Sequence, residues 1–512
     1  MPDSKKRVKI DIPPGVFTHG RMYTVGPRWI DAEKMRFVYG QPEVIPPYFT
    51  MTGTAGTTIN DTNANKIRSI FSWYDLSGAK RAAYGTHEEL WVTTLVGQTG
   101  NTHAEITPTA SFSTGADPMF WSFDQWGEDL IANPRGQVAF RWDTSTGTGT
   151  PAAAISGSPK MNFVLVSPTT RHMIALGGDE GTGTIDPLMV QWSDQDDFTT
   201  WTGAPTNTAG SQRLTHGSKI VAGAIVQDEI LIWTDKALYA MQFLGPPNTF
   251  GFRLIANDCG LVTQKAFTLA GGRVYWWGNG NKFFTFPSQT ANGIEEIPCT
   301  IDLFPRTDQS DPAGNTGTNA ANTKAVLAAH TLTWAHTFLF RNEIWFYYVK
   351  ATASEITNYL IYNYAEKHWS CGTDAYYSGI DQGLDYLPIA TNTVFINKET
   401  YVGGSASESW SVQSGAIELD PDNPVISVAL IATHQVMRNT DAGDITYTFT
   451  LSGYDYPNST AQTGTATITR EGRFPFRVRG RFFTIKYSGS DSADERFRIG
   501  TNRLEIEPDE GQ

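Results

Sequence analysis

Cysteine is nearly missing from this chain of 512 residues: Cys259, Cys299 and Cys371 are odd in number and lie far apart. No C-x-x-C pair occurs, so neither a disulfide framework nor a zinc site is implied, and free thiols are expected. Charge is also scarce, at 18% of residues, and its balance is acidic, with a net charge of −13. Wrapping nucleic acid requires Lys and Arg to displace counterions from phosphate, so a tight grip on DNA by the free surface is not expected, although DNA could pass without being held. Long apolar runs are absent too. No stretch approaches the roughly 20 residues a membrane helix needs, and no membrane anchor is expected. Lys5, Lys6, Arg7 and Lys9 resemble the front of a signal peptide, but Asp11, Pro13 and Pro14 stand where its apolar core belongs. The chain is therefore expected to be made, and to stay soluble, in a cytoplasm.

Windows rich in Ala, Leu, Glu and Lys are hard to find, whereas Gly 48, Pro 27 and 12% aromatics supply turns and strand-formers. An all-β protein is expected, too long for one ordinary core. What is present is a recurring hairpin of two β-rich segments around a tight turn. First strands fall near residues 83, 129, 172, 228, 273, 343 and 393, as in Asp228–Trp233 followed by Leu238–Met241, or Arg273–Trp277 followed by Phe283–Phe286. The steps run from about 43 to about 70 residues, around the roughly 40 to 50 of a four-stranded propeller blade. One blade cannot cover both its faces, so radial stacking is implied. An irregular β-propeller of six or seven blades is expected over residues 61–413. Trp233, Trp276 and Trp345 are expected to be buried in it.

Past residue 414 the texture changes to alternating strands near 425–431, 445–451, 465–469, 482–487 and 503–507, which suit a β-sandwich or jelly-roll-like domain over 414–512. Residues 1–60, rich in Pro and Gly, read as an extended N-terminal arm lying on other surfaces.

Catalytic motifs are missing. There is no G-x-S-x-G elbow, no H-E-x-x-H and no Walker loop, and Gly278-Asn279-Gly280 reads as a turn. His330 and His336 lack a carboxylate or cysteine at ligand spacing. No catalytic, cofactor or metal residue is assigned, and no enzymatic activity is expected. The segment Ser193–Trp201 loosely echoes the Asp-box turn of sialidase-like propellers, with Phe198 where that motif has glycine. It reads as a hairpin in which Asp196 bonds its own turn and Trp201 packs between blades.

One basic concentration remains. Arg477, Arg479 and Arg481 alternate along a strand, so their guanidinium groups share a face. In so acidic a chain that face is expected to meet a carboxylate-rich protein neighbour rather than phosphate.

The opening Ile12-Pro13-Pro14-Gly15-Val16-Phe17, then Arg28-Trp29-Ile30-Asp31-Ala32 and Met35-Arg36-Phe37-Val38-Tyr39-Gly40-Gln41-Pro42-Glu43, resembles the start of tail hub or nozzle proteins (tail tubular or accessory proteins) of short-tailed bacteriophages. Arg477–Phe483 and Phe497–Gly500 through Leu504–Ile506 resemble their closing strands, and Trp192–Trp201 a middle blade. The resemblance implies a structural virion protein without catalytic residues. It would form a homo-oligomeric ring of six copies below the portal and adaptor rings, line the channel for genome ejection, and anchor fibres or spikes. DNA would cross it without sequence-specific binding. The alternative classes are a propeller glycosidase or depolymerase, which would need two carboxylates about 5 to 10 Å apart, and a carbohydrate-binding tail module.

Overall fold

In the computed structural model, described residues run from 6 to 508, except 21, 47–48, 53–64, 98, 110–116, 227–228, 288–292, 305–323, 327–331, 385–386, 392–394, 398–407, 423–425, 433–446, 457–458, 469–473, 492–497 and 501. Among them the regular elements are strands and short 3-10 turns, with no α-helix. Seven four-stranded antiparallel sheets follow one another around an axis, so the protein is a β-propeller. Their innermost strands are Ser69–Tyr74, Trp121–Trp126, Phe163–Val166, Ile220–Val226, Phe267–Ala270, Trp334–Phe338 and Ser378–Leu384. Inner strands meet from blade one to four and from five to seven, Trp233 of blade four stacks on Phe267 of blade five, and the seventh blade's inner strand returns to the first blade's, which closes the ring.

The hairpins legible in the sequence are the second and third strands of blades one to six. In blade six, Glu343–Val349 is buried at every position, which is why it reads as a continuous apolar run. The fourth strands carry too little pattern to be read: Gly210–Arg213 is mostly exposed. The expected hairpin near 393 is displaced by one strand, because Phe395–Asn397 is the third strand of its blade. Its proposed partner at 401–404 lies outside the described residues.

Inner strands meet at their edges, so their free backbone groups need partners. Side chains supply them. Ser69 Oγ accepts from Trp121 N at 3.0 Å, Ser122 Oγ from Val164 N at 2.9 Å, and Asp124 from Val166 N at 2.7 Å. Buried indoles add further links, with Trp73 Nε1 donating to Glu128 O at 2.9 Å and Trp121 Nε1 to Thr86 O at 2.8 Å, each between the first two blades. Trp233, Trp276 and Trp345 are 0%, 0% and 2% exposed.

Beyond the propeller, two sheets pack face to face. The first has the order Lys6–Ile10, Asn502–Pro508, Ile426–Ala432, Phe474–Gly480. The second has Trp29–Glu33, Glu408–Ser414, Phe482–Asp491, Tyr447–Tyr454, Gln462–Ile468, with Ile417–Glu418 also beside Phe482–Asp491. Val428, Val478, Leu504 and Ile506 of the first sheet face Phe449, Leu451, Ile485 and Tyr487 of the second in one core.

The N-terminal residues do not lie as an arm on the outside, and this corrects the reading of 1–60. Lys6–Ile10 is an edge strand of one sandwich sheet, Trp29–Glu33 an edge of the other, and Phe49–Thr50 the outermost strand of the seventh blade. The apolar residues Val16, Trp29, Met35, Phe37 and Val44 explain the difference, since each needs a core and a surface arm has none. They wedge between Trp369 and Phe346 of the propeller and Val412 and Tyr487 of the sandwich. Gly15 allows the close approach: its φ is +93°, and a Cβ there would stand 2.9 Å from His368 Cβ, while Val16 N donates to Trp369 O at 2.7 Å.

Candidate functional site

Arg477 and Arg479 lie on Phe474–Gly480, an edge strand of the first sandwich sheet, with Val478 buried between them. The cross-strand register extends their face. Arg479 stands opposite Ser427, Ser427 opposite Glu507, and on the far strand Arg7 pairs with Glu505 and Lys9 with Arg503. Side chains of paired residues point to the same side of a sheet. Hence Arg7, Lys9, Arg477, Arg479 and Arg503, all exposed, share one outer face with Glu505 and Glu507. Arg7 Nε is 3.9 Å from the Glu505 carboxylate, and Lys9 Nζ 3.3 Å from Asp11. The Lys9–Asp11 pair is exposed on both sides and cancels little of the field, and Arg7 is at the long limit of an ion pair with the buried Glu505.

Sequence reading missed Arg7 and Lys9 as members of this face. Nothing local signals that the first strand joins the last one. Arg481 differs from its two neighbours: it sits past the strand end, donates from Nε to Glu418 Oε1 at 2.9 Å and lies over the Phe482 ring at 5.1 Å. One of the three expected interface guanidiniums is thus answered within its own chain.

A second charged cluster is buried. Glu43, fully buried on the Gln41–Val44 strand, accepts from Arg498 Nε at 2.5 Å and lies 3.4 Å from Arg341 Nη1. Arg36, opposite Glu43 on the paired strand, reaches Glu343 at 3.2 Å with both side chains 1% exposed. The Arg-Phe and Gly-x-Pro-Glu segments near the N-terminus and the Arg498 segment near the C-terminus therefore converge on one junction between propeller and sandwich.

The Ser193–Trp201 turn is a hydrogen-bonded scaffold. Asp194 accepts from Thr208 N and Oγ1 and from Gln195 N, and Asp197 accepts from Thr199 N and Oγ1 and Thr200 Oγ1. The hydroxyl of Thr199 and then that of Thr200 hold the Asp197 carboxyl below its ordinary range; burial alone would raise Asp194, but the Thr208 bonds outweigh it. Asp196, expected to bond this turn, instead faces Arg171. Trp201 packs with Trp126, Ile131 and Val164 between the second and third blades.

His336 is buried and stacks on Trp334 at 5.3 Å; His330 lies outside the described residues. The three thiols are free, and burial pushes them up, Cys259 to about 11 and Cys299 and Cys371 to about 12. Among the described residues no group of three His, Cys, Asp or Glu could hold a metal, and no helix is long and apolar enough to cross a membrane.

No protein-family model matches the chain, and no curated protein matches it. Among solved structures, it is similar to the crystal structure of BamB from Moraxella catarrhalis. The TM-score is 0.36 and the identity 12%, over 73% of this chain and 96% of that one. So low a score carries no argument about function. The propeller is established by the seven sheets themselves.

Proposed function

We propose that this chain is a structural subunit of a short phage tail, forming a hub or nozzle ring of identical copies below the portal and adaptor. The channel for genome ejection would run through that ring. The reading rests on the sequence motifs at both ends of the chain, and one observation carries it furthest: Arg7 and Lys9 near one end and Arg477, Arg479 and Arg503 near the other share a single sheet face in a chain with net charge −13. A basic face on an otherwise acidic protein is complementary to the acidic surface of another copy. Head-to-tail contacts of that kind close into rings when the rotation permits.

On this reading the DNA does not pass along the propeller's own axis. Phe71, Phe123, Phe163 and Phe267 of its inner strands project into a pocket of about 180 Å³ there. The channel would be built between subunits, with DNA in transit meeting a net acidic protein that does not retain it. Fibres or spikes and the adaptor would dock on the same ring. Asp194 is engaged by Thr208, Asp196 by Arg171 and Asp197 by Thr199 and Thr200, which favours a structural over a glycosidic role.

Electron microscopy of the purified protein, with mass measurement in solution, tests this. A ring of about six subunits around an open channel is the expected result. A protein that stays monomeric at high concentration and is absent from tails of assembled particles would overturn it.

A further inference from the structure

At the end of the propeller axis where the inner strands begin, the 180 Å³ cavity is walled by Phe71, Trp121, Phe123, Phe163, Phe267 and Trp334, drawn from five different blades. The aromatic wall is interrupted where Gln264 and Lys265, on the segment entering the fifth blade, also line the cavity. Their backbone is held in place. Lys265 O accepts from Ala335 N at 2.8 Å, and Thr263 Oγ1 donates to Thr333 O.

Neither polar head has an answering group among the described residues. Gln264 is 6% exposed, and its Nε2 has no hydrogen-bond partner. Lys265 keeps some surface open to the cavity yet lies deep within the protein, makes no ion pair among the described residues, and is acted on by burial alone, which pushes its ammonium down to about 7. The hydroxyls nearby are already in use: Ser122 Oγ accepts from Val164 N, and Ser378 Oγ donates to Ile67 O. A deep ammonium that lines a cavity with no ion-pair partner among the described residues is driven toward the neutral amine unless an anion enters beside it.

We propose that this cavity binds a small organic anion, its carboxylate on Lys265 Nζ and its apolar body among the aromatic rings. Size fits, since an apolar cavity of about 150 Å³ holds benzene. A phosphate dianion is disfavoured, because aromatic walls would strip its water while only one cation answers two charges. The inference is independent of the tail reading and concerns the propeller axis alone.

Calorimetric titration of the full chain with benzoate, beside neutral benzyl alcohol, is the test. Benzoate is expected to bind at one site and to raise Tm with concentration. The alcohol should bind at least about tenfold more weakly, since it forgoes the charge-assisted bond. Lys265→Met, which keeps the length and removes the charge, should lower benzoate affinity by a similar factor while holding the wild-type Tm or exceeding it. Absence of saturable benzoate binding, equal affinity for the alcohol, or undiminished binding by folded Lys265→Met would each overturn the proposal. Should Lys265→Met fail to fold, the comparison of benzoate with alcohol on the wild-type protein decides alone.

Discussion

Glu43 accepts a hydrogen bond from Arg498 Nε at 2.5 Å although 455 positions separate them in the chain, and Glu43 is fully buried. Their strands also form a β-bridge, and Ile499 N donates to Pro42 O at 2.9 Å, so side chain and backbone lock the two ends together. Arg498 and Arg341 both answer this buried carboxylate.

Removing Arg498 takes the shorter of the two arginine contacts from the buried Glu43 and leaves Arg341. Arg498→Ala should cost about 3 to 5 kcal/mol in chemical unfolding. A midpoint unchanged from wild type would show that the junction carries no stability.

Deleting residues 1–45 removes two sandwich strands and the apolar wedge of Trp29, Met35 and Phe37. The truncated chain is expected to unfold at lower denaturant and lower temperature, with loss of cooperativity where propeller and sandwich meet. Unfolding indistinguishable from full length would restore the picture of a detachable arm. A milder probe is Gly15→Ala, expected to cost about 1 to 3 kcal/mol through its φ of +93° and the contact with His368.

Two aspartates should give opposite pH signatures. Asp75, held by Ser77, Ala79 and Arg81, is lowered from 3.8 to about 2, so its contribution is complete above 3.8 and is lost as pH falls toward 2. Asp124 keeps a little surface but sits deep at the inner-strand junction, and burial raises it to about 6, with the Val166 and Gln125 amides opposing. A raised carboxyl costs stability as pH climbs from 3.8 to 6. Relative to Asp124→Asn, the wild-type protein should lose stability across that interval, while Asp75→Asn should be most damaging above pH 4. Parallel stability curves for wild type and Asp124→Asn would refute the burial assignment.

Arg477→Glu with Arg479→Glu should leave the subunit folded, with Tm nearly unchanged because both positions are exposed. Ring formation should fail if the basic face meets an acidic neighbour. Assembly without genome retention would instead point to contact with DNA, and normal infectious tails would return the face to an ordinary solvated surface.

How much of this was legible beforehand follows from burial. The middle strands of blades one to six stood out because both their faces are covered, so Ile230–Trp233 and Ile344–Val349 read as unbroken apolar runs. In the sandwich, Tyr447–Tyr454 alternates buried and half-buried residues along its whole length, and that period of two was readable directly. Inner strands were not readable, because part of each faces the axis and its hydrogen-bonding edge is completed by a neighbour such as Ser69 or Ser122, which only the ring supplies.

The alternation of Arg477 and Arg479 was a property of sequence, and so was the acidic balance around them. That Arg7 and Lys9 join the same face, and that Arg481 leaves it for Glu418, depended on pairing between strands hundreds of residues apart. The same holds for Glu43 with Arg498, and for Gln264 and Lys265 at the propeller axis. Local periodicity records which side of a strand is buried, but not which strand lies beside it. Long-range partnership is settled only when closing the ring and the sandwich brings distant charges and edges within hydrogen-bond reach.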